Sequence, residues 1–472
     1  MLDIETVRSH PQRVKEAVRA KYAGSPDEID DLLDRVDELL EVDEARRSHI
    51  TEMQEKQSRQ NDLSSEIGKL KREGKDDEAE KRIEQTSELK EEIDALNEKV
   101  EAAETRQREL LLALPNIPHS SVPVGATEED NEIEETVGDK PSFDSEPHPH
   151  WELTDQHDLV DFERGAKVTG SGFPFYTGRG ARLQRALLNF FLDRARDRGY
   201  QEMQAPLFVN PESAEGTGQL PDKEGLMYKI KESSPEDVED EITNRLLKRE
   251  ESPNGEAEVR REVRSMINDL MEGDFYPIPT AEVPLTNFHR DEIIDGDDLP
   301  LKYCGYTPCW RREAGSYGAD VRGLNRLHQF DKVELVHIVH PDESYRALDT
   351  LLRDAESALE ALGLPYRRLL MCTGDMGFTQ AFKYDLEVWS AGQERWLEVS
   401  SISNFEAFQA RRMQIRYRPE PEAKPRLVHT LNGSGLAFPR ILAALLENNQ
   451  QPDGTIELPD VLHSYTGFAQ IE

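Results

Sequence analysis

The sequence contains little cysteine: Cys304, Cys309 and Cys372 are the only three in 472 residues. They form no Cys-x-x-Cys pair and support no disulfide framework, which excludes a small secreted fold held by disulfides. No His or Glu ligands can be placed beside them, so no zinc site is expected. Buried thiols of a reducing compartment are the simplest interpretation.

Long apolar runs are missing as well. No stretch approaches the roughly 20 residues that a membrane-spanning helix needs, and residues 1–5 have neither the basic region nor the apolar stretch of a signal peptide. A cytoplasmic protein with no membrane partner is expected. There is also no GxxxxGK[ST], no GxGxxG after a strand, no HExxH and no GxSxG, so any use of ATP must rest on another scaffold.

Positive charge is scarce. The chain has 58 Lys and Arg against 95 Asp and Glu, a net charge of -37, and arginine outnumbers lysine about two to one. The acidic residues are spread along the chain instead of forming one tail. In about 1 M salt the Debye length falls to about 3 Å, and self-repulsion of such a surface is largely screened. We expect a halophilic protein that is destabilised at low salt, with an ordinary acidic protein as the alternative.

A long proline-free stretch runs over residues 27–114. Apolar residues recur there at spacings of three and four, as in Leu32, Val36 and Leu39, with charged residues at the outer positions. This heptad pattern predicts two long helices, and Glu73-Gly74-Lys75-Asp76 is the natural turn between them. The pattern therefore predicts an antiparallel helical hairpin, which by itself could equally be a dimerisation coiled coil or a spacer.

The predicted tip of this acidic hairpin carries a basic cluster, made of Lys69, Lys71, Arg72 and Lys75. Such a cluster indicates contact with a polyanion, although charges at the tip of a coiled coil are more often only solvated.

Residues 115–472 mix predicted helices and strands. Several strands follow one another with turns between them, which favours a mainly antiparallel sheet with flanking helices over alternating βαβ units. The predicted fold class is α+β, with the helical hairpin preceding this domain. Residues 231–272 are polar and highly charged and look like an insertion. The predicted helices lie at 181–198, 342–362 and 436–448, and the predicted strands at 301–307, 326–339, 384–390, 394–400 and 426–431.

Four segments concentrate polar residues on predicted strands and at their ends. Each has an ordinary explanation when taken alone, since Arg-x-Glu is common on surfaces and Asn-Gly-Ser-Gly is a common turn. Their order and spacing in one chain are more specific. The segments are 276–285, 309–334, 396–401 and 429–440.

This arrangement resembles the class II aminoacyl-tRNA synthetases. Arg311-Arg312-Glu313 between two predicted strands resembles motif 2, and residues 432–440 running into a helix resemble motif 3. The predicted helix at 182–198 with residues 200–206 after it resembles motif 1, the element that forms the dimer. The segments that point to the seryl-tRNA synthetases are TAEVPLTN (280–287), EAGSYGADVRGLNRLHQFDKVE (313–334), FQARRMQIRY (408–417) and HTLNGSGLA (429–437). Together with the acidic composition, the resemblance is to a halophilic archaeal member of this family.

The resemblance covers nearly the whole chain and implies an activity. It implies a tRNA-binding coiled-coil arm at 1–114 and a class II catalytic domain at 115–472. It implies that L-serine is activated with ATP to seryl-adenylate and transferred to the 3' end of tRNA(Ser), and also to tRNA(Sec). ATP and Mg²⁺ are the implied cofactors, and a homodimer is the implied assembly.

Adenylate formation needs charge stabilisation at the α-phosphate while a carboxylate attacks it. The resemblance assigns Arg311 to the α-phosphate and the serine carboxylate, since a guanidinium suits both oxyanions, and Arg440 to the γ-phosphate. It assigns Glu313, expected on the same strand face as Arg311, to the adenine amino group and Phe330 to stacking on the purine. The complete predicted ATP set is Arg311, Arg312, Glu313, Phe330, Glu398, Val399, Ser400, Ser401 and Arg440.

The resemblance also assigns Mg²⁺ to Glu398 and Ser401. A spacing of three places two residues on opposite faces of a straight strand, so the strand must bend or end near Ser400. The implied L-serine contacts are Thr280, Ala281, Glu282, Glu334 and Ser434. A small pocket that hydrogen-bonds the serine hydroxyl would discriminate strongly against alanine.

Three departures from the family pattern stand out. Arg312 replaces the serine common between the motif 2 Arg and Glu, and Phe438-Pro439 replaces a frequent Val-Gly. The insertion at 231–272 could be a solvated, salt-adapted loop or an extra contact with tRNA or a partner. Two other functions are less consistent with the sequence. A ligase that charges carrier proteins is disfavoured by the long arm, and a non-enzymatic coiled-coil scaffold is disfavoured because the catalytic residues are present.

Overall fold

The structure is a computed structural model that describes residues 1–222, 225–230, 275–313 and 322–472. The predicted insertion at 231–272 therefore lies outside the described residues. The chain forms two compact units. The first comprises Met1–Ser120, Val124–Glu128 and Thr373–Phe378, and the second comprises Ser121–Pro123, Glu129–Cys372 and Thr379–Glu472.

The first unit is built on the predicted hairpin. The heptad residues Leu32, Val36 and Leu39 are buried, so the apolar seam packs one arm against the other. At the turn, Gly74 has a φ of +74°, a left-handed conformation that glycine adopts without strain. The predicted antiparallel hairpin is confirmed. The helices of this unit are α1 (Ile4–Ser9), α2 (Pro11–Lys21), α3 (Pro26–Arg72) and α4 (Asp76–Ala113).

The second unit combines shorter helices with one large sheet. Its helices are α5 (His150–Gln156), α6 (Phe162–Val168), α7 (Gly178–Asp197), α8 (Pro211–Thr217), α9 (Glu282–Asn287), α10 (Ser344–Ala361), α11 (Phe408–Met413), α12 (Phe438–Asn448) and α13 (Asp460–Thr466). Its strands are β1 (Glu132–Val137), β2 (Val160–Asp161), β3 (Phe175–Tyr176), β4 (Gln201–Glu202), β5 (Phe208–Val209), β6 (Tyr276–Pro277), β7 (Ile293–Asp295), β8 (Leu301–Trp310), β9 (Gln329–Val339), β10 (Tyr366–Leu370), β11 (Phe382–Ser390), β12 (Arg395–Glu406), β13 (Arg416–Arg418), β14 (Arg426–Leu427), β15 (His429–Ala437), β16 (Ile456–Glu457) and β17 (Gln470–Ile471).

Eight of these strands form one sheet in the order β1-β10-β11-β12-β15-β9-β8-β4. Its described neighbours pair antiparallel, except that β4 pairs parallel with β8 at the edge. The prediction of a mainly antiparallel sheet in an α+β fold is confirmed. The predicted strand at 426–431 is two strands, β14 and β15, which belong to different sheets.

One face of the sheet is covered by helix α10. A Cβ added to Gly433 of β15 would lie 3.1 Å from Cγ of Leu351 in α10, so this glycine lets the helix approach closely. Because side chains alternate along a strand, Asn432 and Ser434 point to the opposite face. In the part of the chain that the structure describes, no helix combines the length and apolarity of a membrane span.

Candidate active site

Polar side chains gather on the sheet face opposite α10. Phe330, Lys332 and Glu334 occupy alternate positions of β9 and so share a face. Ser434 of β15 pairs directly with Glu334 in the antiparallel register, which brings their side chains to the same side. The sheet register thus collects residues that are about 100 positions apart in the sequence.

Two buried carboxylates form the centre of this face. Glu282, the first residue of α9, and Glu334 are 6% and 0% exposed. The amide of Asn432 bridges them, donating from Nδ2 to Glu282 Oε2 at 2.8 Å and to Glu334 Oε1 at 3.2 Å. Thr280 Oγ1 donates to Glu334 Oε2 at 2.9 Å, and Lys332 Nζ lies 2.5 Å from the same oxygen. The residues predicted to contact the substrate L-serine are all buried: Thr280, Ala281, Glu282, Glu334 and Ser434.

The charges of this cluster do not balance. Burial and the nearby Glu334 carboxylate raise the pKa of Glu282 to about 7, above its ordinary value of 4.5. Lys332 forms an ion pair with Glu334, whereas Lys332 and Arg311 only partly offset the effect of burial on Glu282. Asn432 Oδ1 is buried and has no hydrogen-bond donor among the described residues. The excess negative charge of the cluster and the acceptor atom Oδ1 of Asn432 therefore suit a further cationic hydrogen-bond donor.

Gln409 of α11 holds Glu282 from behind and is 0% exposed. Its Nε2 donates to Glu282 Oε1 at 2.7 Å and to the carbonyl of Thr217 at 3.1 Å. Thr430 Oγ1 donates to Gln409 Oε1 at 2.8 Å. This relay fixes the carboxylate of Glu282 in one orientation, since every polar atom of the Gln409 amide is engaged.

Sequence reasoning gave no role to Lys332, Asn432 or Gln409. Lys332 precedes Glu334 by two positions and Asn432 precedes Ser434 by two, so strand alternation could have placed both in the pocket. Gln409 lies on a short helix far along the chain, and no periodicity connects it to Glu282.

Arg311 and Phe330 lie side by side at the end of β8. The guanidinium carbon of Arg311 is 5.4 Å from the centroid of the Phe330 ring, a cation–π distance. Arg312 follows with an exposed side chain, and its backbone N–H bonds the carbonyl of Leu226 at 2.9 Å. Arg311 and Phe330 are thus close enough to contact one ligand.

The expectation that Glu313 shares a strand face with Arg311 is wrong. β8 ends at Trp310, so the alternation of a strand does not extend to residues 311–313. Glu313 instead has a φ of +47° and accepts a hydrogen bond from Arg326 at 3.0 Å. The left-handed residue redirects the chain where the strand stops.

Glu398 and Ser401 lie on β12 on either side of a β-bulge. Glu387 pairs with Glu398 while the neighbouring Leu386 pairs with Ser400, so Val399 is an extra residue. A bulge bends the strand and shifts the alternation by one position, which returns Glu398 and Ser401 to the same face. The predicted bend near Ser400 is confirmed.

Asp385 on the neighbouring strand contacts Ser401 of this pair. Ser401 Oγ donates to Asp385 Oδ1 at 2.7 Å, and Lys383 Nζ lies 3.1 Å from Asp385 Oδ2. Burial raises the pKa of the Asp385 carboxyl, against the effect of Lys383. Val399 and Ser400 are buried, and Ser400 Oγ donates to the carbonyl of Ser434 at 2.5 Å. Within the described residues, no group of three or more His, Cys, Asp and Glu is placed to hold a metal ion.

Arg440 projects from the first turn of α12, where Pro439 occupies an early position that needs no N–H donor. Its Nε donates to the carbonyl of Asn325 at 2.9 Å, and its Nη1 to the carbonyl of Glu398 at 2.6 Å. The structure thus brings Arg440 to the end of β12 that carries the Glu398–Ser401 pair. The predicted run of a strand into a helix at 432–440 is confirmed.

In the other unit, the four predicted tRNA contacts lie at the end of the hairpin. Lys69, Lys71, Arg72 and Lys75 are exposed, and Lys75 pairs with Glu73 at 2.9 Å. Cations in the last turn of a helix also interact favourably with its dipole, so their position alone does not identify a ligand.

Comparison with known families matches both units of the chain. The family model of the tRNA synthetase class II core domain (G, H, P, S and T) matches residues 266–449. The family model of the seryl-tRNA synthetase N-terminal domain matches residues 1–118.

Whole-chain relatives agree with this assignment. A serine–tRNA ligase of Salinibacter ruber (strain DSM 13855 / M31) is 70% identical over 471 residues, which is 100% of this chain and 99% of that protein. One of Bacillus pumilus (strain SAFR-032) is 46% identical over 472 residues, 100% of each chain. Among solved structures, seryl-tRNA synthetase from Pyrococcus horikoshii complexed with ATP has a TM-score of 0.86 at 34% identity, covering 100% of this chain and 99% of that one.

These matches confirm the predicted family, and they confirm the predicted enzyme class, an ATP-dependent serine–tRNA ligase. The chain belongs to the seryl-tRNA synthetases, the class II ligases that activate serine with ATP and load it onto tRNA.

Proposed function

We propose that the buried carboxylate cluster is the L-serine pocket of this ligase. Glu282 and Glu334 bind the substrate ammonium, which supplies the second cation that the pair lacks. The observation that carries this proposal is the Asn432 amide, which bridges both carboxylates while its Oδ1 has no donor among the described residues. Thr280 and Ser434, which are buried beside this pair, then offer hydroxyl partners to the hydroxymethyl side chain of serine.

We propose that ATP lies beside this pocket, along the ends of β8, β12 and α12. Arg311 neutralises the α-phosphate and the serine carboxylate while the carboxylate oxygen attacks phosphorus and pyrophosphate leaves. Phe330, 5.4 Å from the Arg311 guanidinium carbon, stacks on the purine, and Glu313 accepts from the adenine amino group. Arg440 binds the γ-phosphate. In support, the Pyrococcus horikoshii relative was solved with ATP.

Glu398 and Ser401 fit Mg²⁺. Both offer oxygen, the bulge sets them on one face, and Ser401 donates its proton to Asp385, which leaves its lone pairs available to an ion. Mg²⁺ commonly takes one or two protein ligands and completes its shell with phosphates and water. When bound, the ion neutralises charge on the triphosphate during displacement.

The hairpin at 1–114 is proposed as the tRNA-binding arm and 115–472 as the catalytic domain. A homodimer is proposed through α7 and β4, which contain residues that resemble motif 1, and sedimentation at several protein concentrations tests this assembly. Loading of tRNA(Sec) and the cytoplasmic location stay predictions.

Substrate selection in ATP–pyrophosphate exchange tests the serine pocket. Ser434→Ala should lower kcat/KM for serine by about ten- to a hundredfold while KM for ATP stays within about twofold, as expected when one polar contact to substrate is lost. The matched control is Ser344→Ala, which removes a buried hydroxyl that bonds His429 at 2.9 Å outside the pocket. Equal serine kinetics in the two variants would contradict the proposal.

A further inference from the structure

A buried polar cluster joins the start of α5 to the end of α12. His150 and Glu447 are both 0% exposed. Glu447 Oε1 accepts from the ring Nδ1 of His150 at 2.7 Å, from the His150 backbone N–H at 2.9 Å and from Gln393 Nε2 at 3.1 Å. Its Oε2 accepts from the Gly392 N–H at 3.0 Å and from the Ser390 hydroxyl. A buried carboxylate with five donors is held rigidly.

The hydrogen bonds of His150 fix its tautomer. The backbone N–H of Leu324 points at His150 Nε2 at 2.8 Å. A backbone N–H can only donate, so Nε2 carries no proton, and Nδ1 donates its proton to Glu447. The ring is thus a neutral relay from the carboxylate to the main chain at Leu324.

The start of α5 contacts the segment 322–325 at a second point. The guanidinium carbon of Arg322 lies 4.6 Å from the centroid of the Trp151 ring. Between the two contacts, Gly323 has a φ of +65°, and a Cβ there would lie 2.3 Å from His150 Nε2. Only glycine therefore allows the chain to pass so close to the histidine ring.

This segment leads directly to Arg440. The carbonyl of Asn325 accepts from Arg440 Nε at 2.9 Å, and the Asn325 amide Nδ2 donates to Gln393 Oε1 at 2.8 Å. Gln393 in turn donates to Glu447. Arg440 and Glu447 lie seven residues apart on α12, which places them two turns apart on one face. Arg440 is thus connected to Glu447 through Asn325 and Gln393, and Glu447 is connected back to Asn325 through His150 and the main chain at Leu324.

We propose that His150, held by Glu447, is a positioning residue for ATP: it fixes Leu324 and Asn325 so that the Asn325 carbonyl orients the Arg440 guanidinium toward the triphosphate. The inference rests on the proposed role of Arg440 in binding the γ-phosphate. His150 contacts neither substrate in this proposal and acts through the main chain.

Two substitutions of His150, by Gln and by Asn, distinguish its bond with Leu324 from its bond with Glu447. In His150→Gln, Oε1 replaces the Nε2 acceptor and keeps the bond from Leu324; in His150→Asn, Nδ2 replaces the Nδ1 donor and loses Leu324. His150→Asn should raise KM for ATP in pyrophosphate exchange by about two- to tenfold, the effect of one hydrogen bond, with KM for serine unchanged. His150→Gln should stay within about twofold of the parent KM for ATP.

If His150 had only a structural role, His150→Asn would change KM for ATP and KM for serine alike, and its effect would add to that of Arg440→Lys. The proposal requires non-additivity: in the Arg440→Lys background, His150→Asn should have little further effect on KM for ATP. Should His150→Asn fail to fold in a thermal melt, Gln393→Ala, which removes the Asn325 side-chain bond, carries the same expectation.

Three outcomes are distinguishable. Selective, non-additive loss of ATP affinity supports the inference. Equal changes in KM for ATP and KM for serine, or additivity with Arg440→Lys, overturn the inference and leave the proposed role of Arg440 intact. An Arg440→Lys variant with unchanged ATP kinetics overturns the proposed role of Arg440 and, with it, this inference.

Discussion

Glu282 is the residue whose protonation we expect to depend most on the binding of L-serine. Its carboxyl is buried beside Glu334, and both effects raise its pKa to about 7. A serine ammonium in the pocket favours the ionised form, so the pKa must fall when serine binds. By linkage, binding below this pKa then requires release of a proton.

The expected consequence is a pH-dependent KM for serine. Between about pH 8 and 7 KM should be nearly constant, and below about pH 7 it should rise by up to about tenfold per pH unit, because Glu282 becomes protonated. Exchange kinetics from pH 6 to 8 measure this, with KM for ATP as the internal reference.

Glu282→Gln cannot ionise and provides the matched variant. It should bind serine weakly, and its KM should vary much less with pH over the same range. A slope in Glu282→Gln equal to that of the parent would assign the titration to a group other than Glu282 and would contradict this account.

Among the elements, the hairpin is the one for which the sequence is most informative. Its basic tip is exposed, in an arm of otherwise acidic character. High salt removes most of the counterion-release contribution to nucleic-acid binding. We therefore expect tRNA recognition to depend on shape and hydrogen bonds along the arm, with the basic tip retained for direct contact.

Alanine at Lys69, Lys71, Arg72 and Lys75 together tests the tip. The variant should raise KM for tRNA in aminoacylation, while serine-dependent pyrophosphate exchange, which needs no tRNA, stays unchanged. Exchange is thus the control for folding and adenylate formation. Unchanged tRNA charging would show that the tip makes no contact of consequence.

Sequence patterns predict those elements that local periodicity determines. The heptads around Leu32, Val36 and Leu39 define the hairpin because each apolar residue meets the facing arm at a regular interval. The bend in β12 is not predicted from periodicity: it is required because the family resemblance assigns Mg²⁺ to both Glu398 and Ser401, which a straight strand would place on opposite faces. The position of Glu313 is mispredicted because the side-chain alternation that the prediction assumes does not continue past Trp310, where β8 ends.

Contacts between distant segments lie beyond such patterns. Gln409 reaches Glu282 across 127 positions and His150 reaches Glu447 across 297. Both contacts arise from the order of the strands and the packing of helices on the sheet, which no single-sequence periodicity encodes.

At the scale of the molecule, the net charge is -37. Self-repulsion destabilises the compact state, and about 1 M salt shortens the screening length to about 3 Å. The predicted halophilic character follows from this balance.

Thermal melts at increasing KCl concentration test the predicted halophilic character. The melting temperature should increase steadily from about 0.05 M to about 1 M KCl as repulsion is screened, and sucrose at matched osmolality should not reproduce the increase. A protein equally stable in low salt would be an ordinary acidic one.

Serine-dependent ATP–pyrophosphate exchange tests the central claim most directly. The assay compares serine, threonine, alanine and glycine, in molar KCl and in low salt. Exchange that depends on serine, appears in molar KCl and fades in low salt is the result that this account predicts. Folded protein that shows no exchange with serine in molar KCl would contradict the assignment of the carboxylate pocket and of the adenylate-forming site beside it.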